Sequence, residues 1–285
     1  MLESSDDIAA QEGIMADMGA RAHDLGRGDA SFIAEAARRA GVVCLQLAPA
    51  KALADCPPPS EPMVASWARE VAAALAAEGI RVAVLGCYVD LCAPDPPARR
   101  AAVERLAHNL SLARAFGTRA VATETPLSGG SALQAGAYLR GALRELVGEA
   151  ERGGASICVE PVWGHAIDTP RSMAELLEAI GSPFLGVVLD PVNLVDPGSR
   201  ADPALPALEA LALFGDRVVA VHVKDFVLRG GAKAPAVPGK GLLDWGRVAR
   251  AAVASAPGAP LILEEQDAAG LAAGIEMLAA ILTPQ

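Results

Sequence analysis

The feature that most constrains the fold is a regular alternation between short apolar runs and longer segments with helical period. Eight runs rich in β-branched or other apolar residues are each followed by a segment rich in Ala, Leu, Glu and Arg. The runs span residues 19–25, 42–48, 81–89, 119–125, 156–162, 184–192, 217–226 and 260–266. The helical segments lie near residues 30–40, 62–78, 97–116, 131–152, 170–180, 203–214, 245–255 and 268–282. This alternation is typical of βα units and predicts a parallel sheet.

The number of units indicates how that sheet closes. Eight βα units in 285 residues predict an α/β protein with a single-domain (β/α)8 TIM barrel. The competing fold is a doubly wound open sheet, which usually carries a GxGxxG turn after its first strand. The sequence "HDLGRGDAS" (23–31) does not have that spacing. We therefore predict a barrel over residues 18–285, preceded by an N-terminal extension over residues 1–17.

The composition narrows the class of ligand. The formal net charge of −10 disfavours a nucleic acid or an anionic membrane surface as the main partner, so we expect a small molecule. No apolar stretch is long enough to cross a bilayer, and the chain does not begin like a secretory signal, which predicts a cytoplasmic protein. The five cysteines lack CxxC spacing and lie mostly in apolar runs, so we expect buried free thiols.

Polar residues cluster where the predicted strands end. In a (β/α)8 barrel the carboxyl ends of the strands form the active site. Each predicted strand places one polar residue at or near this end. These residues are His23, Gln46, Tyr88, Glu124, Glu160, Asp190, His222 and Glu264.

Three carboxylates and one imidazole in the second half of the chain predict a metal site. Glu160, Asp190 and Glu264 would bring three negative charges together at the opening of the barrel, where they are partly shielded from water. This arrangement is unfavourable unless a cation binds between them. With His222 they offer a set of ligands that suits Mn²⁺, Mg²⁺ or Co²⁺, with Zn²⁺ as a further option. The sequence "LEEQ" leaves Glu265 as the alternative to Glu264, because strand alternation turns only one of them toward the barrel axis.

Five motifs carry a resemblance to a known family. In chain order they are "VEPVWGH", "LDPVNL", "HVKDF", "PGKGLLDW" and "LEEQ". Together with the eight βα units, they resemble the xylose isomerase-like sugar phosphate isomerase/epimerase family, which includes ketose 3-epimerases and inosose dehydratases. The resemblance extends from about residue 18 over nearly the whole chain. It implies that Glu160, Asp190, His222 and Glu264 bind a divalent metal, and that the two glutamates act as acid and base.

The sequence departs from the ketose 3-epimerases at two positions. Asn193 stands where those enzymes have a histidine, and Ala166 stands where they have a glutamate. The turn "PGKG" is retained, which makes Lys240 a candidate for a loop cation that closes over the substrate. The alternative for Lys240 is a solvated lysine on a glycine-rich turn.

The resemblance and the metal chemistry together predict proton abstraction next to a carbonyl. A chelated hydroxy-carbonyl substrate would lose a C–H proton to Glu160 or Glu264 and form an enediolate. Isomerisation or epimerisation is the expected outcome. The alternatives are a dehydratase on the same metal site and a non-catalytic sugar-binding barrel. The candidate substrate or supporting residues are His23, Glu124, Trp163, His165, Asn193, Lys224 and Lys240, with Asp225 as an orienting group.

The expected partners follow from this interpretation. A carbohydrate is the expected substrate, and no nucleic acid or membrane is expected. The same superfamily includes abasic-site DNA endonucleases, but these need a trinuclear zinc cluster and a basic face, whereas this chain has four histidines and an excess of acidic residues. Apolar helical faces on such barrels often pair, which leaves a homodimer open.

Overall fold

The protein forms a closed eight-stranded parallel barrel with helices on its outside. The computed structural model describes residues 16–129 and 131–283, so almost all of the predicted N-terminal extension lies outside the described residues. The barrel strands are β1 (Met18–Arg21), β2 (Cys44–Leu47), β3 (Arg81–Gly86), β4 (Ala120–Thr123), β5 (Ser156–Val159), β6 (Leu185–Leu189), β7 (Val218–Val223) and β10 (Leu261–Leu263). They close in the order β1-β10-β7-β6-β5-β4-β3-β2. The predicted (β/α)8 barrel is confirmed.

Helices follow the barrel strands, and six of those in the described residues begin at a residue whose side chain caps the first turn. The helices are α1 (Ala30–Arg39), α2 (Pro49–Ala52), α3 (Ala65–Ala77), α4 (Pro96–Leu112), α5 (Ala132–Gly153), α6 (Pro170–Ile180), α7 (Leu205–Phe214), α8 (Trp245–Ser255) and α9 (Ala268–Leu282). Ser131 and Thr169 form capping boxes that satisfy the first backbone N–H groups of α5 and α6. None of the helices in the part of the chain that the structure describes could span a membrane.

The core has two layers because strand side chains alternate between the two faces of the sheet. A large apolar cluster fills the space between the strands and the helices. A smaller cluster of short side chains lies inside the barrel and includes Ala120, Cys158, Val188, Ala220 and Ile262. Ala220 and His222 are two residues apart on β7, so His222 points to the same interior. The small apolar cluster inside the barrel therefore packs directly beneath the strand ends that carry His222.

The strands are shorter than their apolar runs. The first predicted strand (19–25) ends at Arg21, and a 3₁₀ turn spans Ala22–Leu25, so His23 lies on a turn and not on a strand. Tyr88 lies two residues beyond β3 and Glu124 directly follows β4. Apolar character continues past the last paired residue because loop residues just beyond several strands are still buried, for example Cys87 after β3 and Val192 after β6. Periodicity alone therefore overestimates strand length.

The predicted seventh strand (217–226) divides into two elements. β7 ends at Val223, and a new strand β8 (Asp225–Arg229) pairs antiparallel with β9 (Ala232–Ala236) in a hairpin outside the barrel. Gly230 and Gly231 form its turn with φ of +60° and +82°. Positive φ at both central residues is the geometry that a Gly-Gly pair supports in a tight hairpin. That pair was the sequence signal for this hairpin, which the strand prediction missed.

The five cysteines are free, and four are buried, as the sequence predicted. Burial raises the pKa of Cys44 to about 11 and the pKa values of Cys87, Cys92 and Cys158 to about 12. At pH 8 a thiol with a pKa of about 12 is ionised in roughly one molecule in ten thousand, and only the thiolate is nucleophilic.

We expect a chromogenic disulfide reagent to label about one thiol, Cys56, in the native protein. All five should react in denaturant. Rapid labelling of two or more native thiols would contradict the core packing.

Candidate functional site

The four predicted metal ligands lie on neighbouring strands at the carboxyl end of the barrel. Glu160, Asp190 and Glu264 directly follow β5, β6 and β10, and His222 lies near the end of β7. In barrel order these strands are adjacent, β10-β7-β6-β5. All four residues are at most 4% exposed. The fold therefore brings into one buried place residues that are up to 104 positions apart, from 160 to 264.

The imidazole Nδ1 atom of His222 is the centre of this group. It lies 3.6 Å from Glu160 Oε1, 3.5 Å from Asp190 Oδ2 and 3.4 Å from Glu264 Oε2. Ligand atoms of Glu160, Asp190 and His222 all lie within 4.8 Å of one another. The four side chains thus converge on one small volume.

The bonding of His222 and Asp190 tests whether this volume suits a metal ion. His222 Nδ1 is buried and has no hydrogen-bond partner among the described residues, whereas the buried Asp190 Oδ2 has the ammonium group of Lys224 2.9 Å away as an ion-pair partner. His222 Nε2 lies 2.8 Å from Gln46 Oε1, which assigns the ring proton to Nε2 and leaves the Nδ1 lone pair facing the carboxylates. A lone pair and carboxylate oxygens that face each other repel unless a cation lies between them. The donors therefore fit a divalent ion with oxygen and nitrogen ligands.

The charges of the site favour cations in general. Burial disfavours the charged form of His222, but the carboxylates of Glu264 and Glu160 outweigh it and raise the pKa of His222 well above its ordinary value. Burial likewise opposes ionisation of Asp190, yet Lys224 and His222 lower the pKa of Asp190. The excess of negative charge that attracts a proton to His222 would also attract a metal ion.

Lys224 supplies a fixed positive charge beside these ligands. Its Nζ atom lies 2.6 Å from Glu264 Oε1, 2.9 Å from Asp190 Oδ2 and 3.3 Å from Glu265 Oε1. Burial disfavours the ammonium group, but these carboxylates raise the pKa of Lys224 above its ordinary value. Lys224 therefore pairs directly with candidate metal ligands, a closer role than the general supporting one predicted from the sequence.

The two neighbouring glutamates of "LEEQ" are distinguished by the backbone. Glu264 is buried and faces His222, whereas the Glu265 side chain is 40% exposed. Glu265 has φ of +58°, and its backbone N–H donates to Asp24 Oδ2 at 2.7 Å. A non-glycine residue with positive φ is strained, and such strain is often found at functional sites. This turn directs Glu264 inward, which supports the preference for Glu264 over Glu265.

A cleft of about 240 Å³ opens above the ligands. Of the other predicted residues, His23, Glu124, Asn193 and Lys224 line it, whereas Trp163, His165 and Lys240 are not among its lining residues. Asn193 Nδ2 donates to Glu160 Oε1 at 2.7 Å. His165 lies behind Glu124, with Nδ1 4.0 Å from Glu124 Oε2. The pKa of Glu124 is raised to about 7, mainly by burial and secondly by the negative charge of Glu160.

Four lining or supporting residues were not predicted as site residues. Gln46 holds His222 and donates from Nε2 to the Tyr88 hydroxyl at 2.6 Å. Arg21 binds Asp24 and lies 3.5 Å from Glu264 Oε2, and Lys51 lines the cleft from α2. Gln46 and Tyr88 were among the polar strand-end residues of the sequence but were given no role in the site. Arg21 was missed because the first strand was predicted to run to residue 25, whereas β1 ends at Arg21.

Asp225 organises the loop that carries Lys240. Its buried carboxylate accepts hydrogen bonds from the backbone N–H groups of Phe226, Gly239, Gly241 and Leu243. Gly239 has φ of +78°, and a Cβ atom on Gly241 would overlap the Asp225 carboxylate. Both glycines of "PGKG" are thus required by the turn itself. Lys240 is exposed on this turn and does not line the cleft, and its role as a loop cation stays a prediction.

Replacing Asp225 with alanine is expected to destabilise the fold strongly. The change leaves four backbone N–H groups without their acceptor, which we expect to lower the free energy of unfolding by about 3–4 kcal/mol. Urea denaturation followed by circular dichroism measures this change. Glu276→Ala removes an exposed carboxylate from α9 and should change stability by less than about 0.5 kcal/mol. Equal effects of the two substitutions would contradict the role given to Asp225.

The family comparison agrees with the fold. The chain matches the family described as xylose isomerase-like TIM barrel over residues 34–281. A search of curated proteins finds no significant sequence match.

Solved structures similar to this chain share its fold at low sequence identity. The 3-keto-D-glucoside 4-epimerase of E. coli has a TM-score of 0.75 at 14% identity, with 93% of this chain and 100% of that chain covered. D-Psicose 3-epimerase of Clostridium cellulolyticum has a TM-score of 0.74 at 15% identity, with coverage of 94% and 100%.

A third structure contains a metal ion. It is a xylose isomerase-like TIM barrel protein of Mycobacterium smegmatis in complex with magnesium, with a TM-score of 0.71, 18% identity and coverage of 94% and 97%. At these identities the structural likeness establishes the fold. The match to the family covers most of the sequence. The chain therefore belongs to the xylose isomerase-like TIM barrel family.

Proposed function

We propose that this protein is a divalent-metal-dependent isomerase or epimerase of sugars that removes a proton next to a carbonyl. The observation that carries the proposal is the buried cluster of Glu160, Asp190, His222 and Glu264, in which the unpartnered Nδ1 atom of His222 faces the three carboxylates. Two structural relatives are sugar epimerases, which supports a carbohydrate substrate.

The four clustered residues are the proposed metal ligands. Their three carboxylates and one imidazole suit Mn²⁺, Mg²⁺ or Co²⁺, with Zn²⁺ as a further option. A bound divalent ion would act as a Lewis acid that polarises the substrate carbonyl and makes the neighbouring C–H more acidic. Gln46 fixes the ring of His222, and Asn193 fixes the carboxylate of Glu160.

Glu160 and Glu264 are the proposed acid and base. They follow β5 and β10, which are separated in the barrel by β6 and β7, so the two carboxylates approach the cleft from different parts of its wall. Each is held by a neighbouring donor, Asn193 for Glu160 and Lys224 for Glu264. One carboxylate removes the proton, and either the same group or the other returns it. Return to the neighbouring carbon isomerises the sugar, whereas return to the opposite face epimerises it.

Exchange with deuterated solvent tests this proposal. The Mn²⁺-loaded protein is incubated in D₂O with a panel of ketoses and inososes, and carbon-bound deuterium is followed by NMR. We expect deuterium at a carbon next to the carbonyl, with exchange abolished by chelator and restored by Mn²⁺. The product separates isomerisation, epimerisation and dehydration. Binding of sugars without any exchange would contradict the proposal and favour the non-catalytic sugar-binding barrel.

A further inference from the structure

The cleft has two chemically different halves. The strands β5, β6, β7 and β10 contribute the carboxylates and His222. The opposite side, formed by the ends of β1, β2 and β3 and by α2, contributes Arg21, His23, Lys51 and Tyr88 to the lining. A substrate whose carbonyl end lies at the proposed ligands would reach this second half with its remote end.

Lys51 is the uncompensated charge of the cleft. Arg21 pairs with Asp24 and Glu264, Lys224 pairs with Asp190, Glu264 and Glu265, and the lining carboxylates each have a cationic or imidazole neighbour. Among the described residues, Lys51 alone of the cleft's charged side chains has no oppositely charged group within ion-pairing distance. Its Nζ atom lies 5.2 Å from the centroid of the Tyr88 ring.

Two further polar groups beside Lys51 also lack partners. The Tyr88 hydroxyl accepts from Gln46 Nε2, and its own hydrogen has no acceptor among the residues described. Burial raises the pKa of Tyr88 well above its ordinary value, so the hydroxyl remains a donor at neutral pH. His23 Nδ1 is buried with no hydrogen-bond partner in the described part of the chain. A buried polar atom without a partner costs free energy unless a ligand or water satisfies it.

We propose that this half of the cleft, defined by His23, Lys51 and Tyr88, binds an anionic group on the substrate, a carboxylate or a phosphate, at the end remote from the reacting carbonyl. This inference rests on the proposed function, because it places the carbonyl at the four ligands. The ammonium group of Lys51 and the phenolic hydroxyl of Tyr88 are complementary to an oxyanion, and the His23 ring, whose pKa burial lowers, adds a neutral donor in its Nδ1–H tautomer. Charge-assisted hydrogen bonds are stronger than those to a neutral hydroxyl. Lys51 is an exposed residue at the edge of the cleft, so its ammonium group is accessible to an anionic ligand.

A matched set of ligands tests this site. D-Fructose, D-fructuronate and D-fructose 6-phosphate differ only in a terminal hydroxymethyl, carboxylate or phosphate group. Their dissociation constants are measured by titration calorimetry on the Mn²⁺-loaded protein. We expect at least one acid to bind about tenfold or more tightly than D-fructose, with a ratio that falls as salt increases. The acid whose affinity exceeds that of D-fructose by the larger factor shows whether the site recognises a carboxylate or a phosphate.

Substitution of Lys51 assigns the effect to this site. Lys51→Gln should bring the binding ratio of acid to neutral sugar to within about twofold, and it should leave the affinity for Mn²⁺ at the opposite half of the cleft unchanged. Arg69→Gln removes one exposed positive charge from α3, outside the cleft, and should preserve the ratio.

Several outcomes would overturn the proposal. Equal affinity for all three ligands, failure of both acids to bind the metal-loaded protein, or an unchanged ratio in Lys51→Gln would each contradict the anionic subsite while leaving the metal site intact. Failure of the wild-type protein to bind Mn²⁺ would overturn the proposed function together with this inference. The metal titration that precedes each sugar titration distinguishes these cases.

Discussion

Replacing His222 with alanine is expected to lower the affinity for a divalent metal by at least about a hundredfold. Loss of a group that merely supports a metal ligand typically costs 10- to 100-fold, so loss of the ligand itself should cost more. His222 Nδ1 is the atom on which Glu160, Asp190 and Glu264 converge, and the group of possible metal ligands found among the described residues contains no second imidazole. Titration calorimetry with Mn²⁺ on chelator-treated protein measures the change.

Two further substitutions, one with a smaller expected effect and one with none, serve as comparisons for His222→Ala. Gln46→Ala removes the acceptor that holds the Nε2 proton of His222 and should lower metal affinity by about tenfold. Glu276→Ala removes an exposed carboxylate and should leave metal affinity unchanged. Circular dichroism establishes that each variant is folded. Wild-type metal affinity in folded His222→Ala protein would show that the imidazole is not a ligand.

Replacing either Glu160 or Glu264 with glutamine should reduce proton exchange by about 10²- to 10⁴-fold, which is the usual contribution of a positioned acid or base. The amide keeps the shape of each side chain but cannot accept the substrate proton. Both residues also belong to the proposed ligand set, so the exchange rate is measured at a Mn²⁺ concentration that saturates each variant. The measurement is deuterium incorporation into the best ketose substrate.

Glu265→Gln is the matched control for the second of these substitutions. Glu265 is the neighbour of Glu264 and contacts the same Lys224, but its side chain is partly exposed. We expect Glu265→Gln to reduce exchange by no more than about tenfold. A larger loss in Glu265→Gln than in Glu264→Gln would reverse the assignment of the two glutamates.

The sequence predicts the fold well because the fold depends on periodic patterns of apolar residues and on short local signals such as helix caps. Eight apolar runs alternate with helical segments, and capping residues such as Thr169 and Asp267 lie where helices begin. The bounds of α6, α8 and α9 agree with the predicted segments at both ends. The hairpin of β8 and β9 was missed because it is an insertion that breaks the period, although Gly230 and Gly231 mark its turn.

The candidate site is only partly predictable for a different reason. The strand-end rule finds Glu160, Asp190, His222 and Glu264 because barrel closure brings every strand end to one face. It cannot find Lys51, which lies in a short helix beyond β2, or the ion pairs of Lys224, which depend on distances between strands. Asp225 was expected to orient a neighbour, but its four backbone partners become visible only once the chain is folded.

Metal content is the most direct test of the central claim that this barrel holds a divalent ion. Native protein and chelator-treated protein are compared by elemental analysis, and the stripped protein is then titrated with Mn²⁺, Mg²⁺, Co²⁺ and Zn²⁺. The account predicts about one tightly bound divalent ion per chain, restored to the stripped wild type but not to His222→Ala. A wild-type protein that binds none of these ions, even when they are supplied in excess, would contradict it.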